Sequence, residues 1–383
     1  MTPTFDLNPE GCYVGRVWRP GTGPVIVHVR GDFVVDISNA PVLTMHDLLE
    51  TDDIVQFVSS IEGEEICDTA TLEANSDLAG ENLDVPHSLA PCDLQAIKAS
   101  GVTFVRSMLE RVIEERASGD PERASEVRNQ IGEMIGGALV DLVPGSERAR
   151  SVKELLIKEG MWSQYLEVGI GPYAEIFTKA QPMSAVGWGA KVGLHPASKW
   201  NNPEPEVVLA INSRGETVGA TLGNDVNLRD IEGRSALLLG KAKDNNASAA
   251  IGPFIRLLDN KFTMQTVGDC EVTLSISGDD GFTLEASSLM SEISRDPLDL
   301  VAQTIGDFHQ YPDGLMLYLG TMFAPVQDRG SPGDGFTHKV GDVVSISTPA
   351  IGTLTNRVDL STNCMPWSFG TAALMRSLAE RGN

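Results

Sequence analysis

Four features are scarce in this 383-residue sequence: basic residues, aromatic residues, cysteines and long apolar runs. Its 29 lysines and arginines are outnumbered by 53 aspartates and glutamates, which gives a formal net charge of −24. Such a chain repels phosphate overall, so we expect neither a nucleic-acid partner nor an anionic membrane surface. No apolar run is long enough to cross a bilayer, and the N-terminus has no pattern of a secretory signal. We therefore expect a soluble, cytoplasmic protein.

Motifs of several common enzyme classes are missing or incomplete. The five cysteines show no C-x-x-C spacing, which is typical of reduced thiols rather than of a disulfide framework or a zinc site. Gly187-Trp188-Gly189 lacks the third glycine of a dinucleotide fingerprint, and the segment before Gly240-Lys241 lacks the first glycine of a phosphate loop. No G-x-S-x-G elbow occurs. These absences disfavour a nicotinamide enzyme, a nucleotide hydrolase and a serine hydrolase.

The pattern of the chain changes twice along its length. Residues 1–90 predict a small β-rich domain, because short β-branched runs alternate with turn residues. Residues 94–160 predict a helical segment from apolar residues at three-to-four spacing. These apolar stripes are Val105, Leu109, Val112 and Ile113, then Val127, Ile131, Met134 and Ile135, then Val152, Leu155 and Leu156. Short strands follow beyond residue 160, so we predict an α+β, mainly β protein with domains 1–90 and 91–383.

Three carboxylates stand beside predicted strands. Glu204 and Glu206 would point to the same face of a strand, and they precede the wholly apolar run Val207–Ile211, which predicts a strand covered on both faces. Asp225 follows a second β-type run, Thr217–Leu222, and a hairpin would return it towards Glu206. Three oxygen ligands without histidine or cysteine suit Mg²⁺ or Mn²⁺. A solvated outer face of a strand has the same spacing, so spacing alone leaves both interpretations open.

Seven segments form an ordered set of motifs. Those around the acids are Glu204-Pro205-Glu206, Asn224-Asp225-Val226-Asn227-Leu228-Arg229-Asp230 and Gly240-Lys241-Ala242-Lys243-Asp244. The others are Gly101-Val102-Thr103-Phe104, Ile176-Phe177-Thr178-Lys179, Leu319-Gly320-Thr321, and the terminal pair Val340-Gly341-Asp342-Val343-Val344 with Gly352-Thr353-Leu354-Thr355-Asn356-Arg357-Val358. In this order they resemble the fumarylacetoacetate hydrolase superfamily. The resemblance implies that family's mixed β-roll catalytic domain beside the smaller N-terminal domain.

The same resemblance implies roles for the acids and for one lysine. Glu204, Glu206 and Asp225 would hold one Mg²⁺ or Mn²⁺ ion. Lys241 would be the active-site lysine, because a nearby cation lowers the pKa of an amine and lets its neutral form act as a base. A lysine beside carboxylates is also typical of a surface counter-ion, and that interpretation stays open. Lys243 occupies a position that is usually aromatic.

One departure from the family pattern concerns the predicted helix after Phe104. The family carries a histidine there and, three positions later, a glutamate, and this pair is credited with activating water. Here Ser107 stands in the histidine position, whereas Glu110 keeps the acid. Serine alone cannot replace the base, because histidine is suited by a pKa near operating pH. The hydrolytic pair is incomplete, which leaves Glu110 as a proton carrier for a reaction that removes water.

Two segments are especially similar to the 2-keto-3-deoxy-pentonate dehydratases of this family: Trp162-Ser163-Gln164-Tyr165-Leu166-Glu167 and Asn201-Asn202-Pro203-Glu204-Pro205-Glu206. The similarity implies dehydration of 2-keto-3-deoxy-D-xylonate or D-arabinonate to 2-oxoglutarate semialdehyde (2,5-dioxopentanoate). Lys241 would take the carbon-3 proton, and Glu110 would protonate the leaving 4-hydroxyl with Ser107 as its hydrogen-bond partner. The expected substrate-binding residues are Lys179, Gly320, Thr321 and Asn245.

Two other functions stay open. A hydrolase of diketo acids or acylpyruvates would use the same metal site, and a non-catalytic relative would only bind a metabolite. Ser107 disfavours the hydrolase, whereas the intact acids and Lys241 disfavour the non-catalytic relative. The expected partner is a small 2-keto acid. A homo-oligomer, a dimer or larger, is the default for this family and for soluble oligomers in general.

Overall fold

Two β-sheets packed face to face form the centre of the protein in the computed structural model. The residues that the structure describes are 3–39, 41–78, 82–118, 120, 123–124, 127, 139, 142–329 and 335–381. Within these ranges, eleven strands belong to the larger sheet and five to the smaller. Helices lie along the chain between the strands, so the predicted α+β, mainly β class is confirmed.

The strands are short and mostly antiparallel. In chain order they are β1 Tyr13–Arg19, β2 Gly23–Arg30, β3 Phe33–Asp36, β4 Glu64–Asp68, β5 His87–Leu89, β6 Ala96–Gly101, β7 Glu175–Ala180, β8 Lys191–Leu194, β9 Pro205–Ile211, β10 Thr217–Asp225, β11 Ala249–Leu257, β12 Glu271–Ser277, β13 Thr283–Leu289, β14 Leu315–Tyr318, β15 Val343–Thr348 and β16 Gly352–Leu360. The larger sheet has the order β4-β3-β2-β1-β11-β10-β9-β14-β6-β7, with β5 paired to β1, and the smaller has the order β13-β12-β15-β16-β8. The pairs β6–β14 and β8–β16 are parallel.

Several helices begin at residues that cap their first turn. The helices are α1 Met45–Leu49, α2 Ile54–Ser60, α3 Thr69–Leu78, α4 Val105–Ala117, α5 Glu147–Lys158, α6 Gln164–Ile170, α7 Arg229–Glu232, α8 Leu239–Lys243, α9 Met264–Gly268, α10 Pro297–Thr304 and α11 Thr371–Arg381. The Ser146 hydroxyl accepts from Ala149 N before α5, and the Ser163 hydroxyl accepts from Tyr165 N before α6. None of the helices in the described ranges combines the length and apolarity of a membrane span. All five cysteines lie in described ranges and have free thiols.

The N-terminal strands are continuous with the larger sheet. Tyr13 and Val14 of β1 pair with Arg256 and Ile255 of β11. Backbone hydrogen bonds therefore run from β4 through β1 into the strands that follow residue 95. The prediction that a separate domain ends at residue 90 stays a prediction.

The first part of the predicted helical segment is a strand. Residues 94–101 were expected to be helical, but 96–101 form β6, with Ile97 and Ala99 buried on one face. The interpretation as helix is wrong there, because apolar residues at alternate positions follow the period of a strand. The stripe through Val105 and the stripe through Val152 do lie on helices, α4 and α5. Ile131, Met134 and Ile135 of the middle stripe lie outside the described residues.

Strand β9 is buried on both faces, as its apolar run predicts. Val207, Leu209 and Ile211 point towards the smaller sheet, in the same apolar cluster as its strands β12, β15 and β16. Val208 and Ala210 point the other way, into a second cluster that includes residues of α1 and α2. All five side chains are fully buried. The two acids near the start of β9 are therefore attached to a rigid, covered strand.

A third apolar cluster joins the helices to that strand. It contains residues of α4, α5 and α6 together with Trp200, four positions before Glu204. Packing of α4 against this region places the polar residues of α4 next to the start of β9. The helices thus cover the end of the larger sheet where the acids lie.

Leu209 of β9 tests the importance of this core. Leu209→Ala is expected to lower the free energy of unfolding by about 2–5 kcal/mol, because it removes a fully buried side chain and leaves a cavity. Leu237, which is 96% exposed, provides the matched control, and Leu237→Ala should change that free energy by less than about 0.5 kcal/mol. Urea denaturation followed by circular dichroism measures both. Equal losses in the two variants would contradict the assignment of β9 to the core.

Candidate metal centre

The β9–β10 hairpin brings the three predicted acids together. Gly223 of β10 pairs with Glu206 of β9, and Asp225 N donates to the Glu204 carbonyl at 3.0 Å. Paired residues in an antiparallel hairpin, and residues two apart on one strand, share a face of the sheet. One oxygen from each of the three acids lies within 4.8 Å of the others, and each acid is only 1% exposed. The predicted convergence is confirmed, and a solvated outer face is excluded.

Neutral donors hold Glu206. Gly320 N donates to its Oε2 at 2.7 Å, and the Thr321 hydroxyl donates to its Oε1 at 3.3 Å. Gly320 has φ +101°, and a Cβ there would lie 2.0 Å from Thr103 Oγ1, so glycine is required for this approach. Burial, then the charges of Asp225 and Glu204, raise the pKa of Glu206 well above its usual value. Glu206 therefore ionises readily only if a cation offsets its neighbours.

Positively charged side chains hold the other two acids. Lys243 donates to Glu204 and, at 3.0 Å, to Asp225 Oδ2, while Lys179 Nζ lies 2.8 Å from Asp225 Oδ1. Arg111 contacts the second oxygen of Glu204. Burial opposes ionisation of Glu204, but Lys243 and Arg111 outweigh it and lower its pKa to about 2. Glu204 is therefore an anion at neutral pH.

The two buried lysines differ in pKa. Burial lowers the pKa of Lys179, because its ammonium is removed from water. Burial has the same effect on Lys243, but Asp225 and Glu204 outweigh it and raise its pKa above the usual value. The ammonium of Lys243 is thus stabilised by the same carboxylates that could bind a metal.

The three acids fit a hard divalent cation. The set contains three buried carboxylates and neither thiol nor imidazole, which is the donor set of Mg²⁺ or Mn²⁺ rather than of Zn²⁺ or Cu²⁺. Oxygens within 4.8 Å of one another are close enough to share one ion after small side-chain movements. Glu204, Glu206 and Asp225 would hold it.

The structure places Lys243, not Lys241, against the acids. Both belong to α8, where two positions correspond to a rotation of about 200° around the helix axis, so their side chains point to opposite sides. Lys241 is exposed, and its Nζ lies 2.7 Å from His195 Nε2. Lys243 is buried, and its ammonium also lies 5.9 Å from the centre of the Phe177 ring. The family motif indicated Lys241, whereas the structure brings Lys243 of the same helix to the acids.

The predicted residues of α4 make contacts within the protein. The buried Ser107 hydroxyl donates to the carbonyl of Phe104, the residue before α4, at 3.0 Å. Glu110 forms an ion pair of 3.0 Å with Arg229 of α7, and Arg229 also donates to Glu114 at 2.6 Å. These contacts fasten α4 to α7. A catalytic role of Ser107 or Glu110 stays a prediction.

The four residues predicted to bind substrate divide into two groups. Lys179, Gly320 and Thr321 contact the acids themselves, so they position the carboxylates. Asn245 lies just beyond α8, where its side-chain amide donates to the Lys241 carbonyl at 3.0 Å. A direct role of any of the four in binding substrate stays a prediction.

Sequence reasoning missed Glu175, Arg111 and Glu232. Glu175 begins β7 opposite Gly101 of β6, and a Cβ at position 101 would lie 1.9 Å from its Oε2. Burial, then the charge of Glu232, raise the pKa of Glu175 to about 7, although Arg111 and Lys243 act against the rise. The available signal was the acid at the start of the strand that also carries Lys179, a residue already in a family motif.

Comparisons with known proteins show to which family this chain is similar. The fumarylacetoacetate (FAA) hydrolase C-terminal family matches residues 164–359. The probable 2-keto-3-deoxyxylonate dehydratase of Haloferax volcanii is 31% identical over 213 residues, 56% of this chain and 68% of that protein. The chain belongs to the fumarylacetoacetate hydrolase family. The 2-dehydro-3-deoxy-D-arabinonate dehydratase of Saccharolobus solfataricus is 32% identical over 180 residues, so the match spans 47% of this chain and 57% of that relative.

Solved structures share the fold of this family member. A 2-keto-3-deoxy-D-arabinonate dehydratase complexed with magnesium and 2,5-dioxopentanoate has a TM-score of 0.61 at 20% identity, over 91% of this chain and 99% of that one. Fumarylacetoacetate hydrolase from Exiguobacterium antarcticum has a TM-score of 0.56 at 13% identity, with the same coverage. At these identities the likeness concerns the fold.

The opposite positions of Lys241 and Lys243 provide a test of the site. Lys243→Met is expected to lower the free energy of unfolding at pH 7 by about 3–5 kcal/mol, because Glu204 and Asp225 stay buried with one cation fewer. Lys241→Met removes an exposed amine two positions away and should cost less than about 0.5 kcal/mol. Urea denaturation at pH 7 compares them. A larger loss for Lys241→Met would contradict the placement of these side chains.

Proposed function

We propose that this protein is a metal-dependent hydro-lyase that dehydrates 2-keto-3-deoxy-D-pentonate, derived from D-xylonate or D-arabinonate, to 2-oxoglutarate semialdehyde. The observation that carries the proposal is the buried trio of Glu204, Glu206 and Asp225 with Lys243 against two of its members. The cofactor in this proposal is Mg²⁺ or Mn²⁺. The names of the two curated relatives support the substrate class.

The proposed reaction removes a proton from carbon 3 and hydroxide from carbon 4. A divalent ion at the three acids would withdraw electrons from a chelating 2-keto carboxylate and so make the carbon-3 proton more acidic. The ion would also offset the carboxylate charge that keeps Lys243 protonated. Lys243 Nζ, as a neutral amine, takes the carbon-3 proton. The hydroxyl leaves carbon 4 as water when it receives a proton, and the resulting double bond tautomerises towards carbon 5 to give the aldehyde.

Glu175 is our candidate for the acid that protonates the leaving hydroxyl. Its raised pKa of about 7 keeps a large share of its carboxyl protonated at neutral pH. A carboxyl in this state can donate a proton, as general acid catalysis requires. Glu175 therefore replaces Glu110 in the proposal, because Glu110 is paired with Arg229. Lys243 replaces Lys241, because the rotation of α8 brings Lys243 and not Lys241 to the acids.

The choice of dehydration over hydrolysis depends on water activation. A diketo-acid hydrolase needs a base for water, and Ser107 in the histidine position donates its hydroxyl to the Phe104 carbonyl, just before its own helix. Hydrolysis would release pyruvate from an acylpyruvate, whereas dehydration releases an aldehyde and no fragment. The two reactions are distinguishable in one assay.

A homo-oligomer and a cytoplasmic location remain predictions.

The assay uses purified protein loaded with Mg²⁺ and given 2-keto-3-deoxy-D-xylonate. We expect a trapped aldehyde without pyruvate. Asp225→Asn should lower kcat/KM by at least about 100-fold, since substitutions outside the ligand shell of a metal already cost about 10–100-fold. Asp244→Asn, at an exposed acid just after α8, should leave the rate unchanged. Aldehyde formation no faster than in buffer would refute the proposal, and pyruvate release from an acylpyruvate would favour the hydrolase.

The pH dependence of kcat/KM tests Glu175 as the acid. Only the protonated carboxyl donates and only the neutral amine of Lys243 accepts, so the rate should fall by tenfold per pH unit once the pH exceeds both the pKa of about 7 of Glu175 and the pKa of Lys243 in the metal-loaded protein. Glu175→Gln should abolish this alkaline decline and lower the rate by about 10²–10⁴-fold. Glu110→Gln is the matched control and should keep the decline. If Glu110→Gln abolishes it instead, Glu110 is the acid.

A further inference from the structure

Arg111 of α4 connects this helix to one of the three acids. Its guanidinium donates to Glu114 at 2.6 Å and lies 2.9 Å from a Glu232 oxygen, and its other terminal nitrogen contacts Glu204 Oε1. The side chain is only 9% exposed. The contact with Glu204 crosses from α4 to the residue that precedes β9.

Glu204 and Glu206 are held in different ways. Glu206 accepts from an amide and a hydroxyl, which carry no charge and leave its negative charge for a cation. Both oxygens of Glu204 contact cations, Arg111 at Oε1 and Lys243 at Oε2. A divalent ion that binds Glu204 must therefore share a carboxylate oxygen with a positive side chain at close range. Like charges at such distances repel strongly in a buried site.

Of the two cations, Arg111 is better placed to move away. Lys243 bridges Glu204 and Asp225, so its ammonium is held by two of the acids. Arg111 contacts only Glu204 among the three acids and has two partners elsewhere, Glu114 and Glu232. These partners can keep the guanidinium paired if its contact with Glu204 is lost. If Arg111 moves away from Glu204, Arg111 keeps its two other partners and Glu204 keeps Lys243.

We propose that Arg111 competes with the divalent cation for Glu204 and thereby lowers the affinity of the site for the metal. Arg111 acts through Glu204 and is a positioning residue in this role. The inference rests on the metal site of the proposed function. The loss of Arg111 should therefore strengthen metal binding, whereas the loss of a usual partner of a metal ligand weakens it by about 10–100-fold.

The experiment measures Mn²⁺ binding by calorimetry and by the electron paramagnetic resonance signal of free Mn²⁺, without substrate. Arg111→Gln should bind Mn²⁺ about tenfold more tightly than the native protein, because a positive charge near the ion is removed. Arg111→Lys, which keeps the charge, should stay within about threefold of the native affinity. Equal or weaker binding by Arg111→Gln would overturn the proposal, because it would show that Arg111 only orients Glu204.

Arg229→Gln is the matched control for loosening of α4. Arg229 holds the same helix through Glu110 and Glu114 but contacts none of the three acids. Its loss should leave Mn²⁺ affinity unchanged. If Arg229→Gln also binds Mn²⁺ about tenfold more tightly, the gain in affinity comes from movement of α4, and the proposed role of Arg111 is overturned.

A double variant covers the case in which Arg111→Gln does not fold. Glu232 is buried and loses its ion-pair partner in the single variant, so Arg111→Gln with Glu232→Gln removes both charges. The double variant should show the same gain relative to Glu232→Gln alone, and no gain would overturn the proposal. If the native protein binds no Mn²⁺, the metal-dependent function itself fails. Native binding without a gain in these variants refutes only the role of Arg111.

Discussion

The balance between three buried carboxylates and three buried cations is the constraint on which this site depends. An unpaired charge in a protein interior costs several kcal/mol, so Glu204 and Asp225 have cation partners, whereas the pKa of Glu206, which is held by neutral donors, is raised. Lys179 on β7, Lys243 on α8 and Arg111 on α4 supply positive charge from three separate elements. Because the partners come from different parts of the chain, the charge balance also fastens these elements to the β9–β10 hairpin.

The two sheets give this charge cluster a rigid support. Strand β9 lies between apolar clusters on both of its faces, and β10 pairs with it along the hairpin. The acids can therefore converge without the freedom of loop residues, which reduces the cost of arranging ligands for a cation. Glycine at 320 adds a backbone donor where no side chain fits. The strands therefore hold the backbone of the acids in place, while the ion pairs allow their side chains to adjust to a cation.

Residues on regular strands were the most predictable part of the site. Alternation placed Glu204 and Glu206 on one face, and the hairpin brought Asp225 beside them, because strand pairing follows from local pattern and turn position. The lysine was harder to predict. Lys241 and Lys243 differ by two positions, and only the helical rotation of α8 decides which one faces the acids. Glu175 gave only a weak signal, its place on the strand that carries Lys179, and nothing local indicated that Arg111 contacts Glu204, 93 positions away.

The sequence by itself determined the family, the mainly β class and the three acids that converge, because ordered motifs and strand periodicity are local properties of the chain. The tertiary structure decided that residues 96–101 form a strand of the larger sheet, that Lys243 faces the acids and that Arg111 reaches Glu204. The physical reason is the range of the interactions. Arg111 and Glu204 are 93 positions apart, and such a contact depends on how complete elements pack.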